Sequence, residues 1–221
     1  GAVGSVTLLG SVSPQSGEFS EPVTSHTMRY VRCFWALDPL RAQARFYPAV
    51  HPLRSYSEDA VALAPWWDEV FADLPAGAPL HEAGQSEWLA LRRRALTLLD
   101  EQARLERMAR IIGKDALQPR QRLALACAEL FGEAFLRQSA FSPTDRHASP
   151  RRQAWMMRLL ARFVAAAEQA LARGATPERI AELPVVRSLA RMGEELGEDR
   201  LADFAALAAR MDSELAGVAA E

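Results

Sequence analysis

The chain has 221 residues, with 26 Lys+Arg against 28 Asp+Glu and a formal net charge of −2, and 49% of it is apolar. That balance supplies enough apolar surface for a sizeable core and excludes the strongly basic profile of a nucleic-acid-binding domain. No apolar run approaches the roughly 18 residues of a membrane-spanning helix.

Lys114 is the single lysine, and Asp115 follows it. A phosphate-binding P-loop needs G-x-x-x-x-G-K-[ST], so that motif is absent. The chain opens at Gly1 without a methionine and without the regions of a signal peptide, which suggests a processed product or a fragment.

Residues 1–55 are rich in Gly, Ser, Pro and Val, and residues 56–221 in the helix formers Ala, Leu, Arg and Glu. In the first part, Ser5–Leu9 reads as a short strand between Gly4 and Gly10. Residues 11–22 read as a loop, because prolines, a glycine and serines interrupt them. Residues 28–37 read as a second strand, with Val31, Cys33, Trp35 and Leu37 alternating on one face. Asp38 to Ser55 reads as a helical turn and then a proline-punctuated loop.

The second part reads as helices. Trp88, Leu91, Ala95, Leu98, Leu105, Ala109 and Ile112 keep helical spacing until Gly113. A helix starts near Pro119, with Leu123, Ala126, Leu130, Phe131, Ala134 and Phe135 on one side. Another starts at Ser149-Pro150, carries Trp155, Leu159, Phe163, Ala167 and Leu171, and closes at Gly174. Short helices start at Thr176-Pro177 and Pro184, and residues 198–218 form the last. Pro75 to Gln85 is a low-complexity loop. The fold class is thus mainly α: a helical bundle with the stub of a sheet in front. Two lone strands cannot bury both faces, so they read as the end of a larger sheet.

The chemistry-bearing residues are sparse. His26, His51, His81 and His147 sit in predicted loops with no ligand spacing, so no metal site is expected. Cys33 and Cys127 are far apart and read as reduced, buried thiols. Arg92-Arg93-Arg94 and Arg151-Arg152 read as solvated helix faces with weak ion pairs. No serine sits in a Gly-x-Ser-x-Gly elbow. The segment Phe46-Tyr47-Pro48-Ala49-Val50-His51-Pro52-Leu53 differs, with two aromatics beside two prolines. A ring held by a rigid proline suits stacking on a base. The competing reading, that both rings plug the junction of sheet and bundle, leads on residue statistics, because most such aromatics are core.

A series of blocks resembles the catalytic A subunit of V-type and A-type rotary ATPases. They are Gly10-Ser11-Val12-Ser13-Pro14, Gly17 to Thr24 and Phe34-Trp35-Ala36-Leu37-Asp38. Phe46 to Ser57 looks like the family's FPAINWxxSYS, and Ala64-Pro65-Trp66-Trp67 like its EPWW. Ile111 to Leu117 looks like LVGPDAL, and Phe135 to Phe141 like FLQQNAF. The blocks keep the family's order and together cover essentially the whole chain.

The resemblance implies the last strands of a P-loop-type α/β nucleotide-binding domain over residues 1–55, followed by a C-terminal helical domain over residues 56–221. The family's P-loop, catalytic glutamate and Mg²⁺ ligands lie upstream of the resembling part. This piece alone is therefore expected to lack ATPase activity, to contribute no catalytic residue and to bind no ATP, ADP or Mg²⁺ tightly. It also implies that Tyr47 stacks on adenine, with Phe141 as the second aromatic and Gln138 as the polar residue beside it. The family has Phe at the position of Tyr47, and either ring can stack. The turn Gly113, Lys114, Asp115, Ala116 and Leu117 would face the central rotor stalk. B subunits in an alternating ring and that stalk are the implied partners. The implied place is the cytoplasmic side, peripheral to a membrane sector that moves protons or sodium. Departures stand at His51, Pro52 and Ser139, where the family has Asn, Trp and Asn. The alternative is a non-enzymatic helical interaction module derived from the same parent.

Overall fold

The computed structural model describes residues 4–75 and 80–218. Residues 76–79 of the expected low-complexity loop lie outside the described residues. Helix α1 runs over Pro22–Tyr30, strand β1 over Cys33–Phe34, α2 over Pro39–Gln43, β2 over Tyr56–Ser57 and α3 over Ala60–Ala72. The bundle continues with α4 (Glu87–Ile112), α5 (Pro119–Phe131), α6 (Pro150–Ala172), α7 (Pro177–Ala181), α8 (Pro184–Glu195) and α9 (Asp203–Val218).

Helix starts follow local chemistry. Ser86, Ser149 and Thr176 accept hydrogen bonds from Leu89, Arg152 and Arg179 N–H groups, satisfying donors that have no partner inside a first turn. Pro119, Pro150, Pro177 and Pro184 occupy first-turn positions, where a missing N–H costs nothing. Gly113 and Gly174, at φ 86° and 104°, sit where a Cβ would be strained and end α4 and the α6 segment.

Helix α6 is the centre, packing against α9, α3, α5, α4, α7 and α8. Its Leu159, Ala167 and Ala170 are wholly buried, and the Trp155 ring stacks on Phe204 of α9 at 5.8 Å. Trp67 of α3 stacks on Trp88 of α4 at 5.7 Å. A second, smaller cluster of Leu105, Leu117 and Leu125 fastens the far end of α4 to α5.

Several expectations are corrected. Ser5–Leu9 forms no strand, and Val6, Leu8 and Leu9 are 89%, 91% and 86% exposed. An extended segment needs a neighbour for its N–H and C=O groups, and none among the described residues provides one. The strand expected over 28–37 shortens to Cys33–Phe34 plus one bridge between Leu37 and Val50. Its first residues, Met28 to Tyr30, and the last residue of the expected loop, Pro22, belong to α1, because Glu21 caps the Val23 and Thr24 N–H groups at 3.0 and 2.9 Å. Those two bonds, Thr24 first, hold the Glu21 carboxyl below its ordinary value. His26 consequently lies in a helix rather than a loop, and Cys33 is exposed rather than buried. Ile112 leaves the apolar stripe of α4 and is 52% exposed.

Arg152 overturns the reading of Arg151-Arg152 as a solvated face: its side chain is fully buried. It stands at helical spacing before Trp155, Met156 and Leu159, so it shares their inward face.

Candidate nucleotide-facing surface

The chain 46–55 folds back on the β1 segment. Asp38 N–H donates to Ala49 O at 2.8 Å and His51 N–H to Ala36 O at 2.7 Å, while the Ser55 hydroxyl accepts from Ala36 N–H at 3.0 Å. Phe46 turns toward the bundle, coming within van der Waals reach of the position a Cβ on Gly132 would take. The Arg41 guanidinium covers its ring at 4.5 Å. Tyr47, one residue on and joined to Pro48 by a cis peptide bond, is 54% exposed. The two adjacent rings thus divide: Phe46 fills the junction and Tyr47 stands outside it.

The other wall comes from the loop after α5. Gly132–Leu136 widens into one π turn, and Arg137 leaves it extended. Gln138 N–H then donates to the Tyr47 carbonyl at 2.8 Å, joining the two segments directly. The Gln138 side-chain amide donates to Asp145 O at 2.7 Å, which fixes its orientation and leaves Oε1 as an acceptor. Phe141 lies in the same loop, and its side chain is 99% exposed. Tyr47 and Gln138 are therefore brought together through the backbone, with Phe141 three residues along the same loop.

The loop itself is held from below. Asp145, 8% exposed, accepts from Ser139 N–H at 2.6 Å. Arg152 Nη1 donates to the carbonyls of Thr144 and His147 at 2.8 and 3.0 Å, and its Nη2 donates to Gly193 O in α8. Glu198 accepts from both Ser149 N–H and Ser149 Oγ–H at 2.7 Å. Burial raises the Glu198 carboxyl, but the Ser149 donors, with Arg152 and His147 nearby, bring it below the ordinary value. Sequence reasoning misses this support; the helical register of Arg152 with Trp155 and Leu159 is the available signal.

The predicted elbow is compact. Gly113 N–H donates to Ala109 O at 2.9 Å, Lys114–Ala116 make one 3₁₀ turn, and Leu117 N–H closes it on Lys114 O at 3.1 Å. Gly113, Lys114, Asp115 and Ala116 are exposed, whereas Leu117 is buried against Leu105 and Leu125 and anchors the turn. Lys114 Nζ lies 3.5 Å from Glu129 Oε1. Beside the turn, Ile111 is 85% exposed and Met108 40%.

Among the described residues no three His, Cys, Asp or Glu side chains gather as a metal site, and no helix is long and apolar enough to cross a membrane.

The family model for the C-terminal domain of V and A type ATP synthase matches residues 79–180. That for the nucleotide-binding domain of the ATP synthase alpha/beta family matches residues 1–57. The A subunit of the A-type ATP synthase of Thermococcus onnurineus is 39% identical over 190 residues, 86% of this chain and 30% of that protein. The V-type ATP synthase alpha chain of Halothermothrix orenii is 38% identical over 209 residues, 95% of this chain and 33% of that protein. The corresponding A-type protein of Pyrococcus abyssi is 40% identical over 190 residues, 86% of this chain and 17% of that protein. The chain thus spans about a third or less of the length of these relatives. With the two family models in sequence and relatives of one kind matched over most of its length, the chain belongs to the A-subunit family of V- and A-type ATP synthases.

Proposed function

We propose that this chain supplies the adenine-side wall and the rotor-facing helical lever of an A subunit whose complete form makes or hydrolyses ATP. The chemistry of that form is in-line phosphoryl transfer to or from water, coupled by rotation to proton or sodium movement. The working division falls near residue 55, between the end of a nucleotide-binding domain and a helical domain.

One observation carries the adenine reading: Gln138 N–H donates to Tyr47 O at 2.8 Å, which puts both segments on one surface while the Tyr47 and Phe141 side chains stay exposed. An exposed flat ring on a hydrogen-bonded loop is suited to stack on a base, worth roughly 1–3 kcal/mol. Stacking alone does not hold a triphosphate. The only lysine precedes an aspartate, so this chain has no P-loop of its own, and by itself it binds nucleotide weakly and turns over no ATP. Phosphate and Mg²⁺ contacts come from the remainder of the full-length protein.

The lever reading rests on the elbow. A glycine stop, one 3₁₀ turn and a proline start, fastened by the Leu105, Leu117 and Leu125 cluster, transmit a push rather than bending. Exposed Ile111 and Ile112 beside the turn offer apolar contact to the stalk. B subunits complete the ring around that stalk, and the assembly is peripheral to its membrane sector on the cytoplasmic side.

The deciding experiment is Tyr47→Ala in the full-length protein. MgATP affinity falls by about fivefold or more, matching the loss of one stacking ring. Unchanged affinity returns Tyr47 to a packing role and sinks the adenine reading.

A further inference from the structure

We propose that Arg152 is a positioning residue for the nucleotide-facing loop, fixing Gln138 through Asp145 and tying that loop to helix α8. The proposal rests on the adenine reading above. Its geometry is a continuous series of contacts. The Arg152 fork holds the carbonyls of Thr144 and His147, which flank Asp145, and the carbonyl of Gly193 in α8. Asp145 takes the Gln138 amide on its main-chain oxygen at 2.7 Å and the Ser139 N–H on its carboxylate at 2.6 Å. Gln138 N–H in turn donates to Tyr47 O at 2.8 Å. A displacement of α8 therefore reaches Tyr47 through these hydrogen bonds and the short stretch of chain from Thr144 to His147.

Stability is a poor explanation for this guanidinium. Arg152 is fully buried, its Nε finds no acceptor, and its fork is taken up by carbonyls rather than by a carboxylate. A buried cation of that kind is often no better for folding than an apolar side chain of similar volume. A rigid planar fork instead supplies direction: it fixes three carbonyls at set angles, which a flexible lysine does not. The neighbouring Gly193 carries the same message. A Cβ there would stand 3.0 Å from Asp145 Oδ1, so the helix approaches the Asp145 carboxylate as closely as a residue without a side chain allows.

Gly193 also gives the cleanest test. Alanine is the better helix former, so a purely structural view expects Gly193→Ala to hold or raise the melting temperature and to leave nucleotide binding alone. If Asp145 positions the loop, the added methyl displaces its carboxylate and weakens binding without loss of stability. The experiment measures MgATP affinity and thermal unfolding of the full-length protein in its assembled complex, for Gly193→Ala, Arg152→Met, Arg152→Lys and Tyr47→Ala. Gly193→Ala is expected to weaken MgATP about threefold with an unlowered melting temperature, less than the loss of about fivefold or more for a removed stacking ring. Arg152→Met weakens binding and Arg152→Lys does not restore it; where either fails to fold, Gly193→Ala decides alone. Wild-type affinity in Gly193→Ala beside weakened binding in Tyr47→Ala overturns the positioning role and leaves the adenine pocket standing. Affinity lost only in step with stability also overturns it. Wild-type affinity in Tyr47→Ala removes the pocket itself, and the proposal with it.

Discussion

Arg158 of α6 and Glu87 of α4 face each other with two N–H···O contacts of 2.8 Å, and their side chains are 10% and 18% exposed. Arg158 also donates to the carbonyls of Phe71 and Pro75, at 2.9 and 3.2 Å, and lies 5.3 Å from the Phe71 ring centre. One guanidinium thus pins α6, the start of α4 and the end of α3. Removing its carboxylate leaves a cation with no counter-charge in a nearly closed site. Glu87→Ala is expected to cost about 3–5 kcal/mol in urea unfolding. Replacing both partners by apolar residues of similar volume, Glu87→Leu with Arg158→Met, is expected to cost less than the single change. A double variant as weak as the sum of its parts would contradict this.

Phe46 and Phe141 should separate packing from binding. Phe46 is half-buried under Arg41 and against Gly132, whereas Phe141 is 99% exposed. Phe141→Ala is expected to leave stability within about 0.5 kcal/mol of the wild type. In the full-length protein the same change should weaken MgATP by about fivefold or more. Phe46→Ala is expected to lower the melting temperature of this chain. Calorimetry on the two variants checks the contrast, and a destabilised Phe141→Ala would place that ring in the core.

The bundle was legible because its punctuation is local. Gly113, Ser149-Pro150, Thr176-Pro177 and Pro184 each set a helix end by backbone chemistry, and the structure keeps them all. Helix α3 was hidden by Pro65, which lies inside it and ordinarily argues against a helix there. Glu21 hid α1, since a carboxylate cap works through two N–H groups that no apolar period reveals. Tyr47 stands out by its proline neighbours, but Gln138 and Phe141 could be singled out only by resemblance, because the bond joining the two segments is a backbone contact between distant parts of the chain. The two buried arginines were illegible for another reason. Composition places arginine at the surface, and only the inward register of Arg152 and Arg158 beside Trp155 and Leu159 contradicts that.

His51 gives the loop a pH dependence. Its Nδ1 accepts from Leu53 N–H and Arg54 N–H, both at 3.2 Å, so it must be unprotonated. Burial pushes the imidazole below the ordinary histidine value, against the pull of Asp38 and with help from Arg54 and Arg41. The unfolded chain takes up its proton near pH ~6.5, and the folded chain only at lower pH. In that window the unfolded state binds more protons, so stability falls as pH drops through it and levels off below the folded value. Protection of the Leu53 and Arg54 amides, relative to their intrinsic exchange rates, should fall as pH drops from about 7.5 to about 5. His51→Asn, which can keep an acceptor without titrating, should flatten that response. A variant with the same pH profile as the wild type would exclude His51 as its source.

The two cysteines should differ sharply in reactivity. Cys33 is exposed on β1, while Cys127 is 3% exposed inside α5. Burial pushes the Cys127 thiol up to about 12, with Glu168 adding to it, so almost none is thiolate at neutral pH. Thiolate is the reacting species, and a closed core also denies a reagent access. A maleimide added to the native chain is therefore expected to modify Cys33 alone. Cys127 should react only as fast as the core around Leu123, Leu130 and Phe163 opens, since these residues share its cluster. Peptide mapping across a urea series checks this: Cys127 labelling should rise with global unfolding. Labelling of Cys127 in the absence of denaturant, at a rate near that of Cys33, would mean that the α5–α6 core opens far more readily than its packing implies.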